Sequence, residues 1–293
     1  MTDLVIGGRG NLGRHLMTDL PAAVSTSRDG DSDGALNILN ENRVRDLVTR
    51  LRPRCVINTA AMTSVDGCER DPEAAQAVHV EGTENLVRAC ECAGARLIHL
   101  STNYVFDGED GPYTESDETN PLSVYGRTKL ESERIVLDGR VNGLVVRTAV
   151  FYGPEFDRPN FVTWAIRQLI LGQQIRIVTD ETANPTYVPE LSRAIAAFAG
   201  TTDMPSLVHV AGFDFASRYQ MIETVCDVFG LNKDLVKPVG SSELGQDAPR
   251  PSSAGLTTDL ARTLLDYEFR PLRANLIELK QQIGNPEAWA LSD

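Results

Sequence analysis

Near its start the chain reads Leu4-Val5-Ile6-Gly7-Gly8-Arg9-Gly10-Asn11-Leu12-Gly13, a short apolar run followed by a turn in which glycine recurs at every third residue. Three consecutive apolar residues predict a buried strand, and the glycines let the backbone turn tightly and approach a ligand closely. The helix that follows would direct its first N–H groups at an anion. The stretch therefore predicts the strand, turn and helix that open a nucleotide-binding α/β fold, with phosphates at Gly7, Gly10 and Gly13.

Short apolar runs alternate with amphipathic stretches through the first half of the chain. The predicted strands are Leu4–Ile6, Ala22–Thr26, Leu36–Leu39, Cys55–Thr59, Arg96–Ser101 and Gly143–Arg147. The predicted helices between them are Arg43–Arg52, Pro72–Ala93 and Val124–Leu137. This alternation predicts a Rossmann-type, doubly wound parallel sheet, and such sheets bind ligands at the carboxyl ends of their strands.

The second half has a looser rhythm, in which helical segments alternate with loops that contain proline and glycine. Its predicted helices are Phe161–Leu171, Pro189–Ala199, Tyr219–Phe229 and Leu276–Ile283. We therefore expect an NAD(P)-binding domain over residues 1–150 and a smaller, mainly substrate-binding C-terminal lobe over residues 151–293. Segments of either half can contribute to the other.

Composition narrows the class of protein. The chain has 293 residues and a net charge of −13, so it offers no basic surface for nucleic acid. No apolar run reaches the roughly 18–20 residues of a membrane span, and no secretion signal is visible, so we expect a cytoplasmic protein. Its four histidines lack the spacing of metal ligands, and no metal site is expected. A homodimer is left open.

Tyr125 and Lys129 lie four residues apart, which places them one turn apart on the same face of the predicted helix. A free phenol titrates at about 10, and a nearby ammonium would lower that pKa. The pair then suits proton transfer to a carbonyl oxygen as hydride reaches its carbon, with the lysine also holding the ribose of a nicotinamide cofactor. At the end of a predicted strand, Ser101-Thr102 offers a hydroxyl that could polarise the same carbonyl.

The end of the second predicted strand bears on the choice of cofactor. An acidic residue there would hold a ribose 2′-hydroxyl and select NAD. The sequence instead has Ser27-Arg28, and a hydroxyl with a guanidinium suits a 2′-phosphate. We predict NADPH, while Asp29 and Asp31 keep NADH open as an alternative.

Several motifs together resemble the extended short-chain dehydrogenases/reductases, and more narrowly the dTDP-4-dehydrorhamnose reductase group. The motifs are GGRGNLG (7–13), NTAAMTSVDGCE (58–69), STNYVFDG (101–108), YGRTK (125–129), RTAVFYG (147–153), NPTYVPE (184–190) and APRPSSAGLTTD (248–259). The resemblance spans nearly the whole chain. It implies NAD(P)H-dependent reduction of a nucleotide-linked 4-keto-6-deoxysugar.

The resemblance also implies roles for individual residues. The catalytic residues would be Thr102, Tyr125 and Lys129. Residues expected at the cofactor are Gly7, Gly10, Asn11, Leu12, Gly13, Ser27, Arg28, Asn37, Ile38, Ala60, Ala61, Met62, Thr63, Tyr125 and Lys129. Residues expected at the substrate are Thr102, Asn103, Val150 and Asn160.

Some positions depart from the group's pattern. Asn103 stands where the group usually has an aspartate beside the substrate, Val150 where it often has a tryptophan, and Asn37 where an aspartate is common near the adenine. These changes leave hydride transfer intact and leave the identity of the sugar open. Because Asn103-Tyr104 replaces the Asp-Glu pair of related 4,6-dehydratases, elimination would lack its acid and base.

Two alternatives to the reductase remain. One is a non-catalytic, NADP-binding regulatory subunit, since the β subunit of methionine adenosyltransferase resembles the same group and keeps a similar Tyr/Lys motif. The other is a different sugar-nucleotide epimerase or reductase.

Overall fold

The structure, a computed structural model, describes residues 2–28, 34–154, 159–201 and 205–290. The strands are β1 Leu4–Ile6, β2 Val24–Thr26, β3 Cys55–Asn58, β4 Arg96–Thr102, β5 Gly143–Thr148, β6 Phe151–Tyr152, β7 Ile175–Val178, β8 Thr182–Ala183, β9 Thr186–Tyr187, β10 Leu207–His209, β11 Ala216–Ser217 and β12 Val236–Val239. The helices are α1 Asn11–Asp19, α2 Glu41–Leu51, α3 Val65–Arg70, α4 Pro72–Gln76, α5 Gly82–Ala93, α6 Val124–Asp138, α7 Phe161–Ile170, α8 Val188–Gly200, α9 Arg218–Phe229, α10 Asp259–Leu265, α11 Leu272–Ile283 and α12 Pro286–Ala290. Within the described ranges, no helix is both long and apolar enough to cross a membrane.

Six strands form one sheet in the order β10-β5-β4-β3-β1-β2, and every neighbouring pair is parallel. The strand order reverses at β1, which has β2 on one side and β3 on the other. This is the switch point at which open α/β sheets bind ligands. The predicted doubly wound parallel sheet is confirmed.

Strand β1 shows how the sheet is covered on both faces. Val5 packs in a buried cluster with residues of α1 and α8, such as Leu16 and Phe198. Its neighbours Leu4 and Ile6 pack in a second cluster with residues of α2, α5 and α6. Successive side chains of a strand point to opposite faces, so a run of three apolar residues is what a two-sided core requires.

A third apolar cluster forms a smaller lobe beside the sheet. It is built from α7, α9 and α11 around the two-stranded parallel ribbon of β7 and β12, with Tyr152 and Tyr187 fully buried in it. Strand β10 belongs to the second half of the chain but pairs with β5 and forms one edge of the main sheet. The boundary at residue 150 stays a prediction.

Some predicted elements differ from those observed. The run Leu36–Leu39 is not a strand, because the Asn37 side chain accepts the Leu39 N–H (3.1 Å) and closes a turn. Leu36 and Ile38 are nevertheless buried, which explains the strand-like pattern. The predicted helix Pro72–Ala93 is interrupted by one π-helical turn, Ala77–Glu81. Strand β10 was not predicted.

A buried ion pair joins the central strands to α6. Arg147 on β5 donates from Nε and a terminal nitrogen to the two carboxylate oxygens of Glu133 (2.9 and 2.7 Å), and the Ser101 hydroxyl of β4 donates to the same carboxylate. Both charged side chains are at most 5% exposed. Because two hydrogen bonds fix the guanidinium, the pair sets the position of the helix that carries Tyr125.

Replacing one partner of this pair should be costly. We expect Glu133→Gln to lower the free energy of unfolding by about 3–5 kcal/mol, since the Arg147 charge stays buried without its partner. The double variant Glu133→Leu/Arg147→Met should lose less than that. Urea unfolding followed by circular dichroism measures both. The control Glu84→Gln removes an exposed pair with Arg88 and should cost less than about 1 kcal/mol. A loss at Glu133 no larger than the control would contradict the prediction.

Candidate active site

The glycine turn lies between β1 and α1, and its backbone leaves no room for side chains. Gly7 has φ +87°, and a Cβ on Gly13 would lie 2.3 Å from the Gly7 carbonyl oxygen. The cap residue of α1 is Gly10, which has no side chain to bond the first N–H groups of the helix. Nearby, Asn11 Oδ1 is buried and has no hydrogen-bond partner among the described residues. An open helix N-terminus with an unsatisfied amide fits the phosphates and sugar of a dinucleotide.

The loop Ala60–Thr63 follows β3 and is fixed by His79, which lies in the π-helical turn. Met62 donates its N–H to His79 Nε2 (3.0 Å), and His79 Nδ1 lies 2.7 Å from Thr128 Oγ1 on α6. The Thr128 hydroxyl donates to carbonyls of its own helix, so it must accept from Nδ1–H. Burial lowers the pKa of His79 to about 3, which keeps the ring neutral. His79 therefore ties the predicted cofactor loop to the helix that carries Tyr125 and Lys129.

A second buried histidine, His99 on β4, contacts Lys129. Asn58 accepts the Ala60 N–H through its oxygen and donates from Nδ2 to His99 Nδ1 (3.1 Å), which assigns the His99 proton to Nε2. His99 Nε2 lies 2.9 Å from Ser132 Oγ and 3.1 Å from Lys129 Nζ. His99 Nε2–H and the Lys129 ammonium are therefore both donors, so the 3.1 Å contact between them is not a hydrogen bond.

The Lys129 ammonium donates to a main-chain oxygen, the Leu100 carbonyl, at 2.6 Å. The residue is only 2% exposed, and burial lowers its pKa to about 8, although Glu133 acts in the opposite direction. Lys129 therefore stays mostly cationic at neutral pH and lies close to its titration point.

Tyr125 and Thr102 meet at the carboxyl end of β4. Thr102 accepts the Tyr104 N–H (3.1 Å), and its hydroxyl lies near the Tyr125 phenol. The Tyr125 ring lies edge-on to the rings of Tyr104 and His79, with centroids 5.6 and 5.7 Å apart. Burial raises the pKa of Tyr125 to about 12, which outweighs the opposing effect of the Thr102 hydroxyl. The lowered pKa expected from the sequence is therefore not found in this structure, and the phenol is protonated at neutral pH.

The end of β2 reaches the other side of the glycine turn. Ser27 bridges to Ala35 in parallel, and Arg28 lies in the turn that follows. Ile38 packs against Gly82 and accepts a hydrogen bond from Asn85 Nδ2 at its carbonyl (2.8 Å). Asp29 and Asp31 lie outside the described residues.

Beside the end of β2 is a cavity of about 240 Å³. Its lining includes Thr26, Leu36, Arg43, Asp46 and Arg50. Arg43 and Arg50 belong to no motif in the sequence. They add cationic side chains at the strand end that holds an adenine ribose in such folds.

A larger cavity of about 480 Å³ lies between the main sheet and the smaller lobe. Its lining includes Val150, Asn160, Trp164, Glu181, Arg218 and Arg250. The Arg218 guanidinium lies near the Tyr104 hydroxyl, and the Tyr104 ring lies edge-on to the Tyr125 ring. Arg218, which lines the cavity, is thus separated from the Tyr125 site by one aromatic side chain.

Some of the predicted substrate residues line the large cavity and others do not. Val150 lines the large cavity, and so does Asn160, whose side chain also caps α7 by accepting the Val162 and Thr163 N–H groups. Asn103 is 4% exposed, and its Nδ2 donates to the Ala254 carbonyl (2.8 Å). The flat surface lost at Val150 has a counterpart in Trp164, which lines the same cavity from α7.

Several residues that support the site or line its cavity could not be found from the sequence. They are Asn58, His79, His99, Thr128, Ser132, Glu181, Arg218 and Arg250. The spacing of the histidines bears only on metal binding, and no local pattern connects either His79 or His99 with α6. Arg250 lies within the APRPSSAGLTTD motif (248–259), which was the one available signal for the C-terminal part of the cavity.

The fold and the site together define a nicotinamide-dependent oxidoreductase of the short-chain dehydrogenase/reductase class. Residues 1–284 match the family described as RmlD substrate binding domain, and the chain belongs to this family. It is 36% identical over 258 residues to a dTDP-4-dehydrorhamnose reductase of Mycolicibacterium smegmatis, covering 87% of this chain and 78% of that protein.

Two further relatives bear on the function. The crystal structure of a dTDP-4-dehydrorhamnose reductase from Bacillus anthracis, in complex with NADP, superposes with a TM-score of 0.88 at 27% identity and covers 96% of this chain and all (100%) of that one. The methionine adenosyltransferase 2 subunit beta of Bos taurus is 30% identical over 257 residues, covering 83% of this chain and 74% of that protein.

The pKa of Lys129 predicts a specific pH dependence of stability. Above about pH 8 the folded side chain is neutral, whereas the unfolded side chain stays protonated up to its ordinary pKa of 10.5. The unfolded state then binds more protons, so the free energy of unfolding rises with pH across this window. Relative to Lys129→Met, the native protein should gain on the order of 3 kcal/mol between about pH 8 and 10.5. Urea unfolding at several pH values measures this difference, with Lys237→Met, at an exposed lysine, as control. Parallel curves for the native protein and Lys129→Met would contradict the prediction.

Proposed function

We propose that the protein reduces the ketone of a nucleotide-linked 4-keto-6-deoxysugar with NADPH. The observation that carries this proposal is the protonated Tyr125 phenol, which lies beside Thr102 at the carboxyl edge of the sheet and contacts Tyr104 on the side of the 480 Å³ cavity. The reductases named in the comparisons support this substrate class, and the NADP complex of the Bacillus anthracis enzyme supports the cofactor.

The residues take the following roles in this proposal. NADPH, when bound at these residues, would supply the hydride for the ketone carbon. Tyr125 gives its hydroxyl proton to the ketone oxygen, and Thr102 donates a hydrogen bond to the same oxygen. Lys129, cationic at neutral pH, holds the ribose hydroxyls of the cofactor and stabilises the phenolate that Tyr125 becomes.

The cofactor residues follow the strand ends. Gly7, Gly10 and Gly13 with Asn11 would hold the phosphates, and the loop Ala60–Thr63 would border the cofactor. Arg28 binds the 2′-phosphate, supported by the cationic side chains at the end of β2. The cytoplasmic location and the homodimer stay predictions.

A regulatory role is the second candidate, because the chain is similar to the bovine methionine adenosyltransferase 2 subunit beta. The two candidates differ in turnover. A reductase consumes NADPH with a keto-sugar as the purified protein, whereas a regulatory subunit binds the cofactor, turns over no keto-sugar and co-purifies with a synthetase.

Replacing Tyr125 with phenylalanine removes only the hydroxyl group. With dTDP-4-keto-6-deoxyglucose equilibrated at C3 and C5, we expect Tyr125→Phe to lower kcat by about a hundredfold to ten-thousandfold and to change the Kd for NADPH much less. The assay follows the loss of NADPH absorbance. Tyr267→Phe, which removes a hydroxyl bonded to Glu190, serves as the matched control. Near-normal turnover in Tyr125→Phe would contradict the proposed role.

The role of Arg28 is tested by the choice of cofactor. Arg28→Asp should lower kcat/KM with NADPH relative to NADH by about tenfold or more, because a guanidinium that binds the 2′-phosphate is replaced by a carboxylate that repels it. The control is Arg45→Ser on α2, whose guanidinium is bonded to Asn42. An unchanged ratio in Arg28→Asp would remove this residue from the cofactor site.

A further inference from the structure

The large cavity contains one carboxylate, that of Glu181, whose bonding is incomplete. Glu181 is 8% exposed and lies between β7 and β8. Its Oε1 is buried and has no hydrogen-bond partner among the described residues. Burial raises the pKa of this carboxyl despite the cations of Arg218 and Arg250 nearby. A buried, unsatisfied polar atom is unfavourable for stability and needs an explanation, and a ligand that donates a hydrogen bond would supply one.

The arginines of the cavity do not satisfy Glu181. Arg250 forms two hydrogen bonds with Asp66 on α3 (3.1 and 2.9 Å), and Arg176 lies 3.7 Å from Glu243. The Arg218 guanidinium lies over the Phe161 ring at 5.2 Å and near the Tyr104 hydroxyl. Two of the three guanidinium groups therefore already have carboxylate partners in the described part of the chain.

Glu181 and Arg218 come from neighbouring segments, since the Arg218 N–H donates to the Glu181 carbonyl (3.1 Å). The carboxylate offers an acceptor and the guanidinium offers donors, in a cavity that also contains the aromatic ring of Trp164. An acceptor and a donor beside a flat apolar face suit a neutral sugar, whose hydroxyls both donate and accept while its C–H face packs on the ring.

We propose that Glu181 is a specificity-determining residue that recognises the sugar of the substrate by accepting a hydrogen bond from one of its ring hydroxyls. This inference rests on the proposed function and adds to it the contact by which the neutral sugar, as distinct from its nucleotide carrier, is selected. The buried oxygen is then satisfied only when the sugar is present.

The variants Glu181→Leu and Glu181→Gln test this contact, with dTDP-4-keto-6-deoxyglucose as substrate and dTDP as a ligand that lacks the sugar. We expect Glu181→Leu to raise KM for the sugar nucleotide by about tenfold or more, because a charge-assisted hydrogen bond is lost. Glu181→Gln keeps a neutral acceptor and should raise KM by a smaller factor. The Kd values for dTDP and for NADPH should be unchanged, and kcat should change much less than KM.

Thermal stability separates recognition from a structural role. Neither Glu181 variant should lower Tm, because the substitution removes a buried group that lacks its partner. The control is Glu190→Gln, a buried carboxylate that is bonded to Tyr267, Arg270 and Asn275 and should lose Tm with KM unchanged.

The outcomes are distinguishable. Turnover by the native protein with unchanged KM in both Glu181 variants would overturn the inference and leave the proposed function standing. A parallel rise in the Kd for dTDP, or a fall in Tm that matches the rise in KM, would also overturn it. No turnover by the native protein would overturn the proposed function together with the inference that rests on it.

Discussion

The buried ammonium of Lys129 is the constraint on which the rest of the site depends. A charged side chain that is 2% exposed costs several kcal/mol unless its surroundings are fixed and polar. Here the Leu100 carbonyl accepts from it at 2.6 Å, and His99, held by Asn58 and Ser132, occupies the space behind it. These groups come from β3, β4 and α6, so the lysine can be accommodated only when the strand ends and the helix have assembled. The same burial brings its pKa to about 8, and the cation is retained at neutral pH with little margin.

The state of Tyr125 follows from the same dry environment. A pKa of about 12 keeps the phenol protonated, which is the form that can give a proton to a ketone oxygen. In the reverse direction the phenol would first have to ionise, and burial opposes this. The protonated phenol therefore suits the direction of reduction.

Sequence reasoning reached the parts of the fold and site that depend on local pattern. The apolar run before Gly7 and the four-residue spacing of Tyr125 and Lys129 are local, and both predicted elements are observed. The run Leu36–Leu39 was wrongly predicted to be a strand. Leu36 and Ile38 are buried in alternation, as they would be in a strand, but the Asn37 side chain closes a turn there. The roles of His79 and His99 could not be predicted, since their partners on α6 are brought to them only by the packing of helix on sheet.

The position of the acidic group in the large cavity shows what the structure adds to a change in sequence. Asn103, a neutral amide where the group usually has an aspartate, leaves the identity of the sugar open on sequence alone. In the structure its amide nitrogen donates to the Ala254 carbonyl, a bond that an ionised carboxylate could not make, and it fixes the C-terminal segment against β4. A carboxylate is present in the cavity all the same, on Glu181, from a loop of the smaller lobe. An acceptor carried by that lobe can recognise the sugar only while the lobe is packed on the sheet, so the burial of Glu181 links substrate recognition to the contact between the two halves of the molecule.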